Sequence, residues 1–293
     1  MKQRISSRTE PHYYSDRLKC KLDKLCFAPA TIVEAPSGYG KTTAIRDYLE
    51  SGPHQVTPVY WFTAADEAPA AGFSRLCREI EKIDRNAGLR LLKIGLPNAA
   101  TIGEAIDALG SIRCTHEAYL IIDNFQFLQD VLPPAFFTAL LEHGGEGLHI
   151  IIVTQMLKRS MLAIIVGHGF LHITAADLRL NAEDICRYYA LADVNITPEE
   201  AKDVERYTEG WIIAVYLQLC TFRETGTLSD THGVLALMEH LVWDVLTEEQ
   251  KTFLLYLSPF KMVTVRQACA LIGCSTLPKY ALDALASPFI RYD

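Results

Sequence analysis

The sequence has no Cys-x-x-Cys pair. Its eight cysteines stand apart at 20, 26, 77, 114, 186, 220, 269 and 274, mostly among Leu, Ile and Ala. That spacing excludes zinc ribbons and dithiol redox motifs and reads as reduced, buried small hydrophobes. The first 24 residues contain no apolar core, so nothing in them reads as a secretory signal. Long apolar runs are missing too. The longest uncharged stretch, Ser160–Ala176, has 17 residues and includes His168 and His172, too short and too polar for a membrane span. The chain is predicted to be cytoplasmic and to engage no membrane. There is no basic excess: the net charge of −7 argues against a nucleic-acid groove within these residues. With 17 glycines and 13 prolines in 293 residues, collagen-like and low-complexity classes are also excluded.

What remains is an ordinary globular composition, 49% hydrophobic and 22% charged. The length suits about two domains with a core large enough to need no disulfide or metal staple. Charge is unevenly spread. Residues 1–24 carry seven Lys/Arg against three Asp/Glu, whereas residues 181–260 carry 14 Asp/Glu against five Lys/Arg. A phosphate-binding front followed by a partner-facing helical part fits this division, and so do simple solvated faces.

The first two-thirds alternates strand and helix patterns. Thr31–Val33, Val59–Thr63, Tyr119–Asp123, His149–Thr154 and Leu171–Thr174 are β-branched or aromatic runs. Between them, Lys41–Leu49, the stretch Phe73–Ile83 and the run opened by Pro133-Pro134 show helical periodicity. Thr101-x-x-Glu104 has the pattern of a capping box. Strands spaced by helices predict an α/β fold, a parallel sheet flanked by helices. After about residue 177 the strands stop. Thr197-x-x-Glu200, Thr247-x-x-Gln250 and Thr264-x-x-Gln267 are three more helix starts of the capping-box type. Val265–Ile272, Gly273 and Pro278–Leu285 read as a helix-turn-helix running into a strand at Phe289–Asp293. The expected domains are 1–176 for the sheet, 177–232 for a small all-α part and 233–293 for an incomplete winged helix. A longer protein is expected to continue past Asp293, because a wing strand left alone is unpaired.

The chemistry concentrates in APSGYGKTT at 35–43. It follows a buried strand and opens a helix, so successive backbone N–H groups and a helix N-terminus converge on one point. Gly38 and Gly40 allow a close backbone wrap, Lys41 reaches β- and γ-phosphates, and Thr42 offers its hydroxyl to Mg²⁺. Ser37, Tyr39 and Thr43 complete the loop. The strict pattern has Gly where this chain has Ala35. Asp123, at the end of an apolar strand, is the metal-side acid expected of such an NTPase, holding Mg²⁺ with Thr42.

SDRL at 15–18, the loop at 35–43, PVYWFTAADEAPAAGF at 58–73, YLIIDNFQFL at 119–128, HIIIVTQ at 149–155, ITAADLRL at 173–180 and TEGWIIAVYLQL at 208–219 occur in one order. Together they resemble the nucleotide-binding oligomerisation module of MalT-like regulators with LuxR-type output, members of the STAND class of signalling ATPases. The resemblance implies a P-loop domain, a helical domain and a winged-helix domain closing over ADP, with ATP opening them for self-association. It also implies a sensor domain for a small-molecule or protein inducer and a C-terminal DNA-binding helix-turn-helix, both beyond Asp293. By the same resemblance Arg17 borders the nucleotide and Trp211 lies near the adenine.

The departures bear on catalysis. Where the family has a second acid after its third strand this chain has Asn124, which cannot take a proton from water. Where the family has an Arg after its fourth strand, this chain has Gln155, which cannot neutralise growing charge. Asp123, Asn124 and Gln155 are therefore the expected catalytic positions of a site that binds ATP or ADP and turns over slowly, if at all. Three readings stay open: a regulatory switch, a motor-type or phosphotransfer enzyme, and a nucleotide-locked scaffold. The second helix of the helix-turn-helix, LPKYALDAL, offers one Lys and one Asp, which suits a structural role better than a DNA-reading one. His168 and His172 lack a third ligand close in sequence and are not read as a metal site.

Overall fold

In a computed structural model of the chain, residues 13–51, 54–142, 146–228, 236, 239, 243–260 and 262–285 are described. Five strands form one parallel sheet: β1 (Ala30–Glu34), β2 (Val59–Thr63), β3 (Arg113–Asp123), β4 (Glu146–Thr154) and β5 (Leu171–Thr174), in spatial order β2-β3-β4-β1-β5. The order places β1 at the centre of a reversal. The chain leaves β1 for the far edge at β2, works back through β3 and β4, and crosses to β5 on the other side. Such a reversal leaves a crevice at the carboxyl ends of the strands, where ligands of open α/β sheets bind.

Alternate residues of each strand are buried on opposite faces. Ile32, Leu120, Ile122, Ile150 and Ile152 meet helices α3 (Pro69–Ile83), α4 (Arg85–Ile94), α5 (Ile102–Gly110) and α6 (Pro134–Glu142) in one core. Val33, Tyr119, Ile121, Ile151, Val153 and Ile173 face a second core with α1 (Asp16–Leu22) and α2 (Lys41–Glu50). A parallel sheet covered on both faces explains why its strands read as continuous apolar runs. The helix α7 (Arg159–His168) connects β4 to β5.

Beyond α8 (Ala175–Leu178) the described elements are helices: α9 (Ala182–Leu191), α10 (Pro198–Thr208), α11 (Ile212–Thr225), α12 (Glu248–Leu257), α13 (Val265–Leu271) and α14 (Lys279–Leu285). Helices α9–α11 share a core of Leu180, Ile185, Tyr189, Ala201, Val204, Val215 and Leu219. Helices α12–α14 share a smaller one of Phe253, Ala268, Ala281 and Ala284. The capping boxes at Thr197, Thr247 and Thr264 form with both bonds present. The one at Thr101 does not. Thr101 already has helical backbone angles, and its hydroxyl accepts the Asn98 N–H at 3.1 Å instead of capping α5. Two boxes at Thr174–Asp177 and Asn181–Asp184 open α8 and α9 in addition. The strand expected at 289–293 and the boundary at 232–233 lie outside the described residues. Among those described, no helix is long and apolar enough to cross a membrane, and no cluster of His, Cys, Asp and Glu could hold a metal. His168 and His172 have separate partners: His168 pairs with Glu142, His172 with Glu34.

Candidate functional site

The loop at 35–43 leaves the end of β1 and turns into α2. Gly38 and Gly40 have φ of +77° and +74°, a region that L side chains enter at a cost, and Gly40 is the N-cap of α2. These two positive angles fold the backbone so that the first N–H groups of α2 face the crevice. Lys41, the first residue of α2, is largely buried, and its Nζ donates to Pro36 O at 2.9 Å. Burial pulls its ammonium down to about 8, with the Asp123 carboxylate pulling the other way. A lysine held at the mouth of its own loop in this way is poised to exchange a carbonyl partner for phosphate oxygens.

Asp123 ends β3 and is 7% exposed. Thr42 Oγ1 donates across the crevice to its carboxylate, 3.1 and 3.3 Å from the two oxygens. The structure thus brings together the hydroxyl and the acid that the sequence separates by 81 residues. These are hard oxygen donors beside a phosphate-binding loop, a set suited to Mg²⁺ shared with phosphates.

Asn124 follows in the left-handed region, φ +56°, which Asn tolerates better than most residues. Its backbone N–H donates to Asp123 Oδ1 at 2.9 Å, fixing that carboxylate. Its own side-chain oxygen faces Gln126 Nε2 at 3.5 Å. The Gln126 side-chain oxygen in turn accepts the Gln155 N–H at 3.3 Å and the Thr154 hydroxyl at 3.4 Å. Gln126 therefore ties the ends of β3 and β4 together and joins Asn124 to Gln155. Sequence reading passed over it because its role depends on β3 and β4 being neighbours. Glu34, the residue before Ala35, does similar work across the end of β1: its carboxylate accepts Leu157 N–H, just after β4, at 2.8 Å and lies 3.0 Å from His172 Nε2 on β5. Lys158 is ion-paired with Asp130.

The helical unit reaches the loop directly. Trp211, the N-cap of α11 and 5% exposed, donates from Nε1 to Ser37 O at 3.0 Å. The Ile213 N–H donates to Gly38 O at 3.3 Å, and Tyr39 packs at 6.4 Å from the Trp211 ring. The approach is so close that a Cβ on Gly38 would meet Ile213 Cγ2 at 2.7 Å and Trp211 Nε1 at 2.9 Å. Gly210, at φ +70°, packs against the Leu180 backbone, where a Cβ would come within 2.2 Å of its oxygen. Arg17 makes its bonds at the start of the helical unit. Its guanidinium donates to Asp177 O at 3.5 Å and Arg179 O at 2.5 Å, at the connection between sheet and helices.

The strand-loop-helix, with its acid at the end of β3 and β4 lying between β3 and β1, in a five-stranded parallel sheet flanked by helices, is a P-loop NTPase fold. Solved structures agree. The Walker-type ATPase of Pyrococcus abyssi superposes with a TM-score of 0.56 at 14% identity, covering 98% of this chain and 91% of that one. A STAND protein with a tetratricopeptide repeat sensor from Pyrococcus horikoshii superposes with a TM-score of 0.50 at 18% identity, covering 98% of this chain and 41% of that one.

In sequence, the chain is weakly homologous over most of its length to MalT, a helix-turn-helix transcriptional regulator. It is 23% identical over 287 residues to the Vibrio cholerae protein, covering 89% of this chain. It is 23% identical over 257 residues to that of Vibrio campbellii, covering 78% of this chain. No protein-family model matches it. The chain spans 28% and 26% of the lengths of these two relatives.

Proposed function

We propose that this chain is the nucleotide-binding switch module of a signal-responsive transcriptional regulator, closed with ADP and opened by ATP for self-association. The observation that carries the reading is the pair of bonds from α11 to the phosphate loop, Trp211 to Ser37 and Ile213 to Gly38. A ligand on the loop's N–H groups would be felt by the helical unit, because the carbonyls of Ser37 and Gly38 in the same loop accept its bonds. A ligand shifts such an equilibrium only by its differential affinity for the two arrangements. ADP and ATP differ by one phosphate, so the discriminating residues are those around the γ-position: Lys41, Thr42, Asp123 and, through Gln126, Asn124 and Gln155.

In this reading the N–H groups of residues 37–43 cradle the α- and β-phosphates and Lys41 neutralises them. Thr42 and Asp123 hold Mg²⁺, which when bound supplies charge neutralisation on the phosphate oxygens. Asp123 is already fixed by Asn124 N–H and Thr42 Oγ1, so it acts as a metal-side acid and not as a base. Asn124 offers no basic group to an attacking water and Gln155 no charge, so hydrolysis is slow. This favours a switch, or at the limit a nucleotide-locked scaffold, over a motor enzyme. The inducer would act through a sensor domain and DNA through a separate helix-turn-helix, as the relatives' regulatory role suggests. The α13–α14 pair, with Lys279 and Asp283 on its second helix, serves as a structural element.

Calorimetric titration of Mg²⁺–ADP into the chain tests this. Lys41→Ala removes a charge-assisted contact of roughly 1.5–3 kcal/mol, so affinity should fall about 10- to 100-fold. Absence of ADP binding by the wild-type chain would overturn the reading.

A further inference from the structure

A second cleft opens where α10 meets the connection between α8 and α9. None of the residues of the phosphate loop lines it. Its volume is about 580 Å³, within the range of small-molecule sites. Four cations line it: Arg17 of α1, Arg179 of the α8–α9 connection, and Lys202 and Arg206 of α10. Two carboxylates, Glu205 and Glu209, line it as well.

The charges are not balanced within the wall. Glu205 Oε2 accepts the Ala182 N–H at 3.0 Å, and Glu209 stands 3.8 Å from Arg179 Nη2. Arg206 is paired with Asp203 at 2.8 Å. Arg17 spends two donors on the carbonyls of Asp177 and Arg179. Lys202 has no hydrogen-bond or ion-pair partner among the described residues, and the buried Nε–H of Arg179 has none. That Nε–H is withdrawn from solvent, while the Arg179 side chain as a whole is 32% exposed, so an anion in the cleft would meet the outer part of the guanidinium and the Lys202 ammonium.

We propose that this cleft binds a compact phosphate-bearing dianion, with Arg179 and Lys202 as its main contacts and Arg17 beside them. Arg179 provides planar paired donors that match phosphate oxygens, and Lys202 provides a mobile point charge. Glu205 and Glu209 suit hydroxyl groups next to the phosphate, as on a sugar phosphate. An anion held between Arg179 and α10 fastens the helical unit to the sheet, so the site would bias the open and closed arrangements. The inference stands whether or not the phosphate loop binds nucleotide.

The test is thermal unfolding of the 293-residue chain titrated with inorganic phosphate or glucose 6-phosphate, against chloride at matched ionic strength. Wild type, Lys41→Ala, Lys202→Ala and Arg179→Gln are compared. A saturable rise in Tm is expected, kept in Lys41→Ala and weakened about tenfold or more in Lys202→Ala and Arg179→Gln. Tighter binding of glucose 6-phosphate supports an organic phosphate as occupant, and tighter binding of inorganic phosphate supports the free ion. No rise beyond that of chloride overturns the proposal. So does a rise lost in Lys41→Ala and kept in Lys202→Ala, which places the phosphate in the loop. Lys202 is exposed on α10, so its variant decides the matter even if Arg179→Gln fails to fold.

Discussion

Gly38→Ala reads the contact between phosphate loop and helical unit most directly, because Gly40→Ala provides an internal control. Both glycines have positive φ, +77° and +74°, so an added methyl costs each about 1–2 kcal/mol in backbone strain. Their surroundings differ. At Gly38 the new Cβ would lie 2.7 Å from Ile213 Cγ2 and 2.9 Å from Trp211 Nε1, whereas at Gly40 the nearest atom is Ile212 Cγ2 at 3.5 Å, ordinary contact. Forcing α11 away from the loop adds about 1–3 kcal/mol. The expected losses are therefore about 1–2 kcal/mol for Gly40→Ala and about 2–5 for Gly38→Ala. Urea unfolding of nucleotide-stripped protein measures both. Gly103→Ala, in α5 with nothing within 4 Å of its Cβ, should gain up to about 1 kcal/mol and checks the baseline. Equal losses at Gly38 and Gly40 would refute the claim that α11 presses on the loop.

Three further outcomes follow from the same geometry. Asn124→Asp keeps an acceptor for Gln126 and a backbone conformation Asp tolerates, so a single-turnover ATP assay should show hydrolysis rising roughly 10²- to 10⁴-fold. No rise would show that the missing acid is not what slows the site. Trp211→Phe keeps an aromatic against Tyr39 but removes the bond to Ser37 O, and should cost about 0.5–1.5 kcal/mol by urea unfolding. The Lys41 ammonium, pulled by burial from 10.5 to about 8, is lost from the folded chain as pH rises through that value while the unfolded chain keeps it. Folding stability attributable to this group therefore increases with pH above about 8, and affinity for ADP falls, by roughly tenfold at about pH 9 relative to pH 7. Calorimetry across that range should show the fall in the wild type and a flat profile in Lys41→Ala.

Much of this was legible because it is local. Val59–Thr63 and Leu171–Thr174 form as read, and the loop at 35–43 carries its strand, glycines, lysine and hydroxyl within one short stretch. The strand order was not legible, since every strand is apolar and periodicity does not say which pairs with which. Gln126 and Glu34 were missed for that reason: each matters only through partners at or just beyond the end of β4, or on β5. Helix α7 was missed because Ser160–Val166 is rich in β-branched and apolar residues, and only its helical cover of the sheet decides its state. Thr101 satisfied a capping pattern whose hydroxyl an upstream turn had already taken. Arg17 was assigned by resemblance alone; its bonds to the carbonyls of Asp177 and Arg179 join segments some 160 residues apart, which no local pattern reveals.

The loop is proposed to hold a nucleotide that the site turns over slowly. The most direct measurement denatures the purified chain, identifies any nucleotide released, and follows ATP turnover by the same preparation. Bound ADP with little or no turnover is the expected result. Protein free of nucleotide that hydrolyses ATP briskly would contradict it, and would show that Asn124 and Gln155 do not impair the site.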